Sequence, residues 1–266
     1  MEDLVFVILC LISINNLKFK GINLYLTDYM DAKNTSQIKG IFVWIILLSH
    51  YRGYFKRNKK YIYIYILNCI GTQKVSMFLF YSGFGIYESI KNKGINYVKT
   101  LPKKSFILFI KSQIIIFIYL ISNLLLGIKT NIYRYFLSII FKSSMGNSNW
   151  FAFTIILFYL YSYLSFRFIK NQNYFFGIIF ISLLCFLHFY LVYNFYYNKI
   201  DYTVVNTLPF IIGFFYSLLR KKIETIIMKN DLFYYGTLSF SIIIYYKFYS
   251  YEFQTIYIIS IINAIF

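Results

Sequence analysis

The sequence predicts an all-α fold: a polytopic integral-membrane helical bundle of about nine transmembrane helices, formed by residues 1–266 as a single domain. Three observations predict it. The 266 residues are 59% hydrophobic and only 14% charged, where soluble chains average about 45–50% apolar and about 25% charged. Mean hydropathy is +0.61. The apolar residues fall in runs long enough to span, separated by short basic stretches, and no polar segment is long enough to fold alone.

The runs lie at about 4–17, 38–55, 75–90, 106–127, 150–168, 174–195, 208–219, 232–248 and 253–266. Several are shorter than the roughly 20 residues of an ideal span, so their boundaries are open and eight or ten spans fit the same pattern. The first run opens with Glu2 and Asp3 and ends before Lys18 and Lys20. A secretory signal has a basic start and small residues at a cleavage site, so this run reads as an uncleaved first span with its N-terminus outside. The connections then alternate. Residues 18–37, 91–104, 169–173 and 220–231 fall inside. Stretch 91–104 carries Lys91, Lys93, Lys99, Lys103 and Lys104 and no acid, as positive-inside orientation requires. The misfit is "KRNKK" at 56–60, which this topology places outside. Residues 129–149 form a longer outer connection; "IYRYFLSIIFK" within it has helical apolar spacing suited to lying in the interface. The last run stops at Phe266 without a polar tail, and the chain is expected to be shortened at its C-terminus.

The net charge of +18 is spread between the runs, with no compact basic module that would suggest nucleic-acid binding. Cys10, Cys69 and Cys185 have no metal spacing and imply no disulfide framework. With two histidines in all, metal chemistry is not expected.

Ionisable residues inside spans are costly and point to pathways or chemistry. Lys39 and His50 share the run "KGIFVWIILLSHY" and are eleven positions apart. Eleven residues are close to three whole helical turns, so both lie on one face, about 16 Å apart along the axis. Asn34 and Gln37 have the spacing of a reciprocal cap, which predicts a helix starting near Thr35. The plainer reading of Lys39 is a lysine snorkelling to the cytoplasmic surface. His50, toward the outer half, has the chemistry of a general base near neutral pH. Tyr51 and Arg52 follow it and suit an anionic or hydroxylated substrate, although Arg52 equally suits headgroups. His188, in "LLCFLHFYLVY", reads as packed or hydrogen-bonded structure. In "FLFYSGFGIYESI", Ser82, Gly83 and Gly85 permit close approach of a helix or of a ligand chain. Glu88 is placed to pair with Lys91 or Lys93.

Lys39, ten intervening residues and His50 resemble the Arg/Lys-x10-His motif of the acyltransferase type 3 family of membrane O-acyltransferases. "MFLFYSGFG", "YVKTLPKKSF", "GNSNWF" and "NTLPFIIGFFYSLLRKKIE" follow in the same order, and the likeness covers roughly 27–225. In detail it is similar to the branch that O-acetylates capsular and other cell-surface polysaccharides of Gram-positive bacteria. The resemblance implies an enzyme that passes an acetyl group from cytoplasmic acetyl-CoA, its donor substrate, to a sugar hydroxyl of a surface polysaccharide or lipid-linked glycan. It implies no further cofactor and a multi-pass location in the plasma membrane. In that scheme His50 is catalytic, as general base or by passing the acyl group onward. Lys39, Lys103 and Lys104 meet the CoA phosphates, with Ser82 and Gly83 beside the donor path. Tyr51, Arg52, Asn147, Asn149 and Trp150 are candidates for holding the acceptor. The family usually has about ten spans with the catalytic helix first, whereas a run precedes it here. Two other classes fit the composition: a transporter or flippase of a lipid-linked sugar, and a non-catalytic protein, either a partner within a polysaccharide assembly complex or an inactive, truncated relative.

Overall fold

The computed structural model describes residues 28–51, 73–129, 131–145, 149–169, 174–195 and 207–250. Every regular element among them is a helix, as the all-α expectation requires. In chain order these are α1 (Ala32–Tyr51), α2 (Gln73–Lys93), the single turn α3 (Ile95–Val98), α4 (Leu101–Leu125), α5 (Ile132–Ile139), α6 (Asn149–Phe166), α7 (Tyr174–Phe195), α8 (Thr207–Ile227) and α9 (Asp231–Ser250). The expected spans at 4–17 and 253–266, the basic cluster at 56–60, Arg52, Asn147, Cys10 and Cys69 lie outside the described residues.

Among the described residues two helical runs are long and apolar enough to cross a membrane by length and composition: Ile95–Leu125 and Tyr174–Leu191. Only 17% and 28% of their apolar windows are buried, where the core helix of a soluble protein would be mostly buried. Trp150–Phe166 in α6 is apolar but shorter. The remaining expected spans among the described residues are helices that do not meet this test, so the count of nine rests on the sequence pattern.

The chain divides into two compact units, one of residues 1–85 and 208–266 and the other of 86–207. In the first, Met30, Tyr81 and Phe84 are buried, with Ile38, Phe42, Met77 and Phe80 packed around them. α2 and α8 meet at two glycines. A Cβ on Gly83 would run into the carbonyl oxygen of Phe210, and one on Gly213 into the carbonyl oxygen of Phe80 and the amide of Phe84. Each glycine thus lets the other helix's backbone come close, the arrangement small residues serve where helices pack without a water-driven force. α1 begins at Ala32 rather than near Thr35. The expected reciprocal cap is not formed: Asn34 lies inside the first turn and donates backward to the carbonyl oxygen of Asp28 at 2.7 Å. The short apolar run at 208–219 also understates α8, which continues as helix to Ile227 through the basic stretch expected to be loop.

In the second unit, α4 packs along α6, and α6 against α7. The Ser105 hydroxyl donates to the carbonyl oxygen of Ile156 at 3.1 Å, joining the first pair. Gly177 lies directly against the side chains of Phe166 and Ile169. Tyr87 is buried with its ring 6.2 Å from Phe166 and 6.3 Å from Tyr174. Gly94, at φ 56°, makes the left-handed turn that separates α2 from α3. Lys91 pairs with Glu88 at 2.5 Å, as the spacing led us to expect.

Candidate functional site

α1 carries Lys39 and His50 on one unbroken helix. Their separation of eleven residues keeps them on one face, about 16 Å apart along the axis. Nothing in this helix interrupts the backbone ladder between them, because its interior lacks proline and its one interior glycine, Gly40, has open space around it. Lys39 is half-buried, flanked by Ile38, which packs on the Met30–Tyr81–Phe84 core. Elsewhere the helix leaves Val43, Trp44 and Leu47 more than half exposed, an apolar surface with no partner in water. His50 and Tyr51 are the last two residues of α1; their backbone is described and their side chains are not.

Ser82 and Gly83 belong to the same unit. The Ser82 hydroxyl donates to the carbonyl oxygen of Phe78 at 2.8 Å, within its own helix. Gly83 turns its bare face to the backbone of α8, so the room expected there for a donor arm is taken by Phe210 and Phe214. Gly83 is therefore a packing position.

Lys103, Lys104, Asn149 and Trp150 belong to the second unit. Lys103 is exposed in the first turn of α4. The Lys104 ammonium stands 4.0 Å from the centroid of the Tyr97 ring, a cation–π contact. Asn149 is the first residue of α6, and Trp150 beside it is half-buried with its ring edge-on to Phe151 at 5.9 Å. His188 is buried in α7, with Nδ1 3.3 Å from the Tyr161 hydroxyl and the two rings edge-on at 6.0 Å. Cys185, one turn earlier, is also buried. This fits the packed, hydrogen-bonded role expected of His188.

A polar cluster that the sequence did not reveal sits in the first unit. Tyr29, in the turn before α1, donates its hydroxyl proton to Glu224 Oε1 at 2.9 Å. Its oxygen also meets the Tyr216 hydroxyl, and since Tyr29 has one proton to give, Tyr216 is the donor in that pair. Arg220 Nε donates to the same Glu224 oxygen at 2.6 Å, and the guanidinium lies 5.4 Å from the centroid of the Tyr29 ring. Burial first, then the bonds to Tyr216 and to the Glu224 carboxylate, push the Tyr29 hydroxyl far above its ordinary value. It thus remains a proton donor, and the cluster locks the entry of α1 to the basic half of α8. The Arg220–Glu224 spacing of one turn is visible in the sequence; the partner tyrosine, 195 residues from Glu224, is not.

Among the described residues no group of three or more His, Cys, Asp or Glu is placed to hold a metal ion. Among the described residues, fold and site together define an all-helical protein with two apolar helices of membrane-spanning length and a lysine–histidine helix. The chain matches no protein-family model, no curated protein and no solved structure.

Proposed function

We propose that this chain is a multi-pass plasma-membrane O-acyltransferase of about nine spans. It moves an acetyl group from cytoplasmic acetyl-CoA to a hydroxyl of an extracytoplasmic cell-surface polysaccharide or of its lipid-linked precursor. The observation that carries this reading is α1: a cation and an imidazole three turns apart on one unbroken, largely apolar helix. Lys39 supplies positive charge for a donor phosphate near the cytoplasmic end. An extended donor arm laid along the same face reaches the level of His50. There the imidazole takes the proton of the acceptor hydroxyl as its oxygen attacks the thioester carbonyl, and the CoA thiolate leaves. The low surrounding polarity strengthens each of these interactions.

The test is acetyl transfer by the purified protein in proteoliposomes, with O-acetyl analysis of surface glycans from cells with and without the gene. His50→Gln keeps a similar shape but cannot accept the proton. It is expected to retain donor binding and lose about 10²–10⁴-fold in rate, while His188→Gln keeps most activity. Near-normal acetylation by His50→Gln would remove the enzyme reading.

A further inference from the structure

The connection between α4 and α6 does not stay at one level. The chain leaves α4 near Asn123, where the Ile128 amide bonds to the Asn123 carbonyl oxygen at 2.9 Å. α5 follows, capped by the Asn131 side chain, which accepts from the Tyr133 amide at 2.8 Å. At its far end the carbonyl oxygen of Ile139 meets Gln113 Nε2 at 3.3 Å. Gln113 is the middle residue of the 25-residue helix α4, twelve residues before Leu125. From the level of Asn123 the chain has therefore run back alongside α4 by about 15 Å. Phe141 reaches still further, its ring 6.0 Å from Phe109 and 5.4 Å from Phe153 of α6. Then the direction reverses, and the carbonyl oxygen of Met145 accepts from Asn123 Nδ2 at 3.0 Å. Entry and exit are at the same level.

The turn at the bottom closes by two backbone bonds, Phe141 amide to Ser138 at 3.1 Å and Lys142 amide to Leu137 at 2.9 Å. This is the paired closure of a helix C-terminus that normally places glycine at its left-handed residue. Here that residue is Phe141, at φ 60°. A phenylalanine is disfavoured there, and its ring contacts on α4 and α6 account for holding it.

Irregular backbone at membrane depth survives only where its polar groups find protein partners. Three side chains supply them: Gln113 to Ile139, Asn123 to Met145, and Arg134, whose Nε donates to the Ser144 carbonyl oxygen at 2.8 Å. Ile132, Tyr133, Phe136 and Ile140 are each more than half exposed, and Arg134 and Lys142 are exposed in the same segment. They stand beside α4, the helix whose own apolar surface is long enough to cross a bilayer.

We propose that residues 131–145 are a re-entrant hairpin that enters and leaves the bilayer on one face and turns beyond its middle, toward the N-terminal end of α4. Its outer face, Tyr133, Phe136 and Ile140, meets lipid acyl chains. The hairpin rests on the reading of this chain as membrane-spanning and is independent of acetyl transfer. It replaces the level interfacial helix that the spacing of "IYRYFLSIIFK" suggested.

The test uses single cysteines in the full chain reconstituted in vesicles of phosphatidylethanolamine and phosphatidylglycerol. Cys10 and Cys69 are replaced by alanine and buried Cys185 is kept. Lys129→Cys and Ser144→Cys should react with an impermeant maleimide from the same side. Ile140→Cys should react about tenfold or more slowly, and a bimane attached to it should be quenched by mid-chain brominated lipid as strongly as one at Phe117→Cys in α4. Labelling of 129 and 144 from opposite sides would overturn the hairpin. So would labelling of 140 as fast as 129 while 117 stays protected, which is the result for a helix lying flat. Rapid labelling of 117 as well would overturn the membrane reading and the hairpin with it.

Discussion

Replacing Gly83 by alanine separates packing from donor binding at the α2–α8 crossing. The new methyl group would stand well inside van der Waals contact of the Phe210 carbonyl oxygen and 3.2 Å from the Phe214 ring. The first obstacle is backbone, which cannot swing aside, so the two helices must separate. Because Gly213 is equally closed by α2, the crossing has no slack on the other side. Overpacking of this kind costs about 1–3 kcal/mol, against a gain of up to about 1 kcal/mol from replacing a helical glycine by alanine. With the full propensity gain, the net expectation for Gly83→Ala is a loss of up to about 2 kcal/mol. Gly85→Ala, two residues along the same helix, is the control. Nothing lies within 4 Å of its added Cβ, so it should keep the propensity gain and be neutral or slightly stabilising. The assay is reversible unfolding of the detergent-solubilised protein in a denaturing detergent, followed by far-UV circular dichroism. Equal stability of the two variants would refute the close crossing. A Gly83→Ala protein of unchanged stability but weakened acetyl-CoA binding would restore Gly83 to the donor path.

Two further outcomes are expected. Lys39→Ala should raise the KM for acetyl-CoA more than it lowers kcat, because its charge meets the donor and not the transferring atoms; a loss confined to kcat would overturn that role. Tyr29→Phe removes the proton donated to Glu224 and leaves Tyr216 without its acceptor. It should lower stability by about 1–3 kcal/mol in the same unfolding assay, with Tyr216→Phe costing less because the Tyr29–Glu224 bond survives; an unchanged Tyr29→Phe protein would mean the cluster does not hold α1 to α8.

What could be read from the sequence follows from how far each signal reaches along the chain. Helix content is local, and the apolar runs foretold α1, α2, α4, α6, α7, α8 and α9 because hydrophobic residues and the absence of interior breakers act within a few turns; the single turn α3 and the first turn of α4 fall in 91–104, which was expected to be a connection. Lys39 and His50 share a face for the same reason, since eleven residues of regular helix determine it. Helix ends were read less well. The Asn34–Gln37 pattern has the right spacing for a cap, yet Asn34 bonds back to Asp28, a competitor for its amide that lies before the helix. The basic stretch after Leu219 looked like loop because hydropathy falls there. It stays helical while Arg220 and Glu224 pair along one face and Tyr29, itself bonded to Tyr216, adds a second donor to the carboxylate.

Pairings across long sequence separations left the least trace. Gly83 and Gly213 are each an ordinary glycine in an apolar run; only together do they define a crossing. Gln113 offers the clearest case. A lone amide in the middle of an apolar helix reads as a minor polar interruption, and Ile139 reads as one more apolar residue. The meaning of each comes from the other: the amide is where the irregular backbone 26 residues later finds its donor. Asn123 and Met145 repeat that relation 22 residues apart. Two of the polar side chains that dilute α4 as a span are thus the ones that allow a second segment to lie beside it, and a count of apolar residues alone scores them as defects.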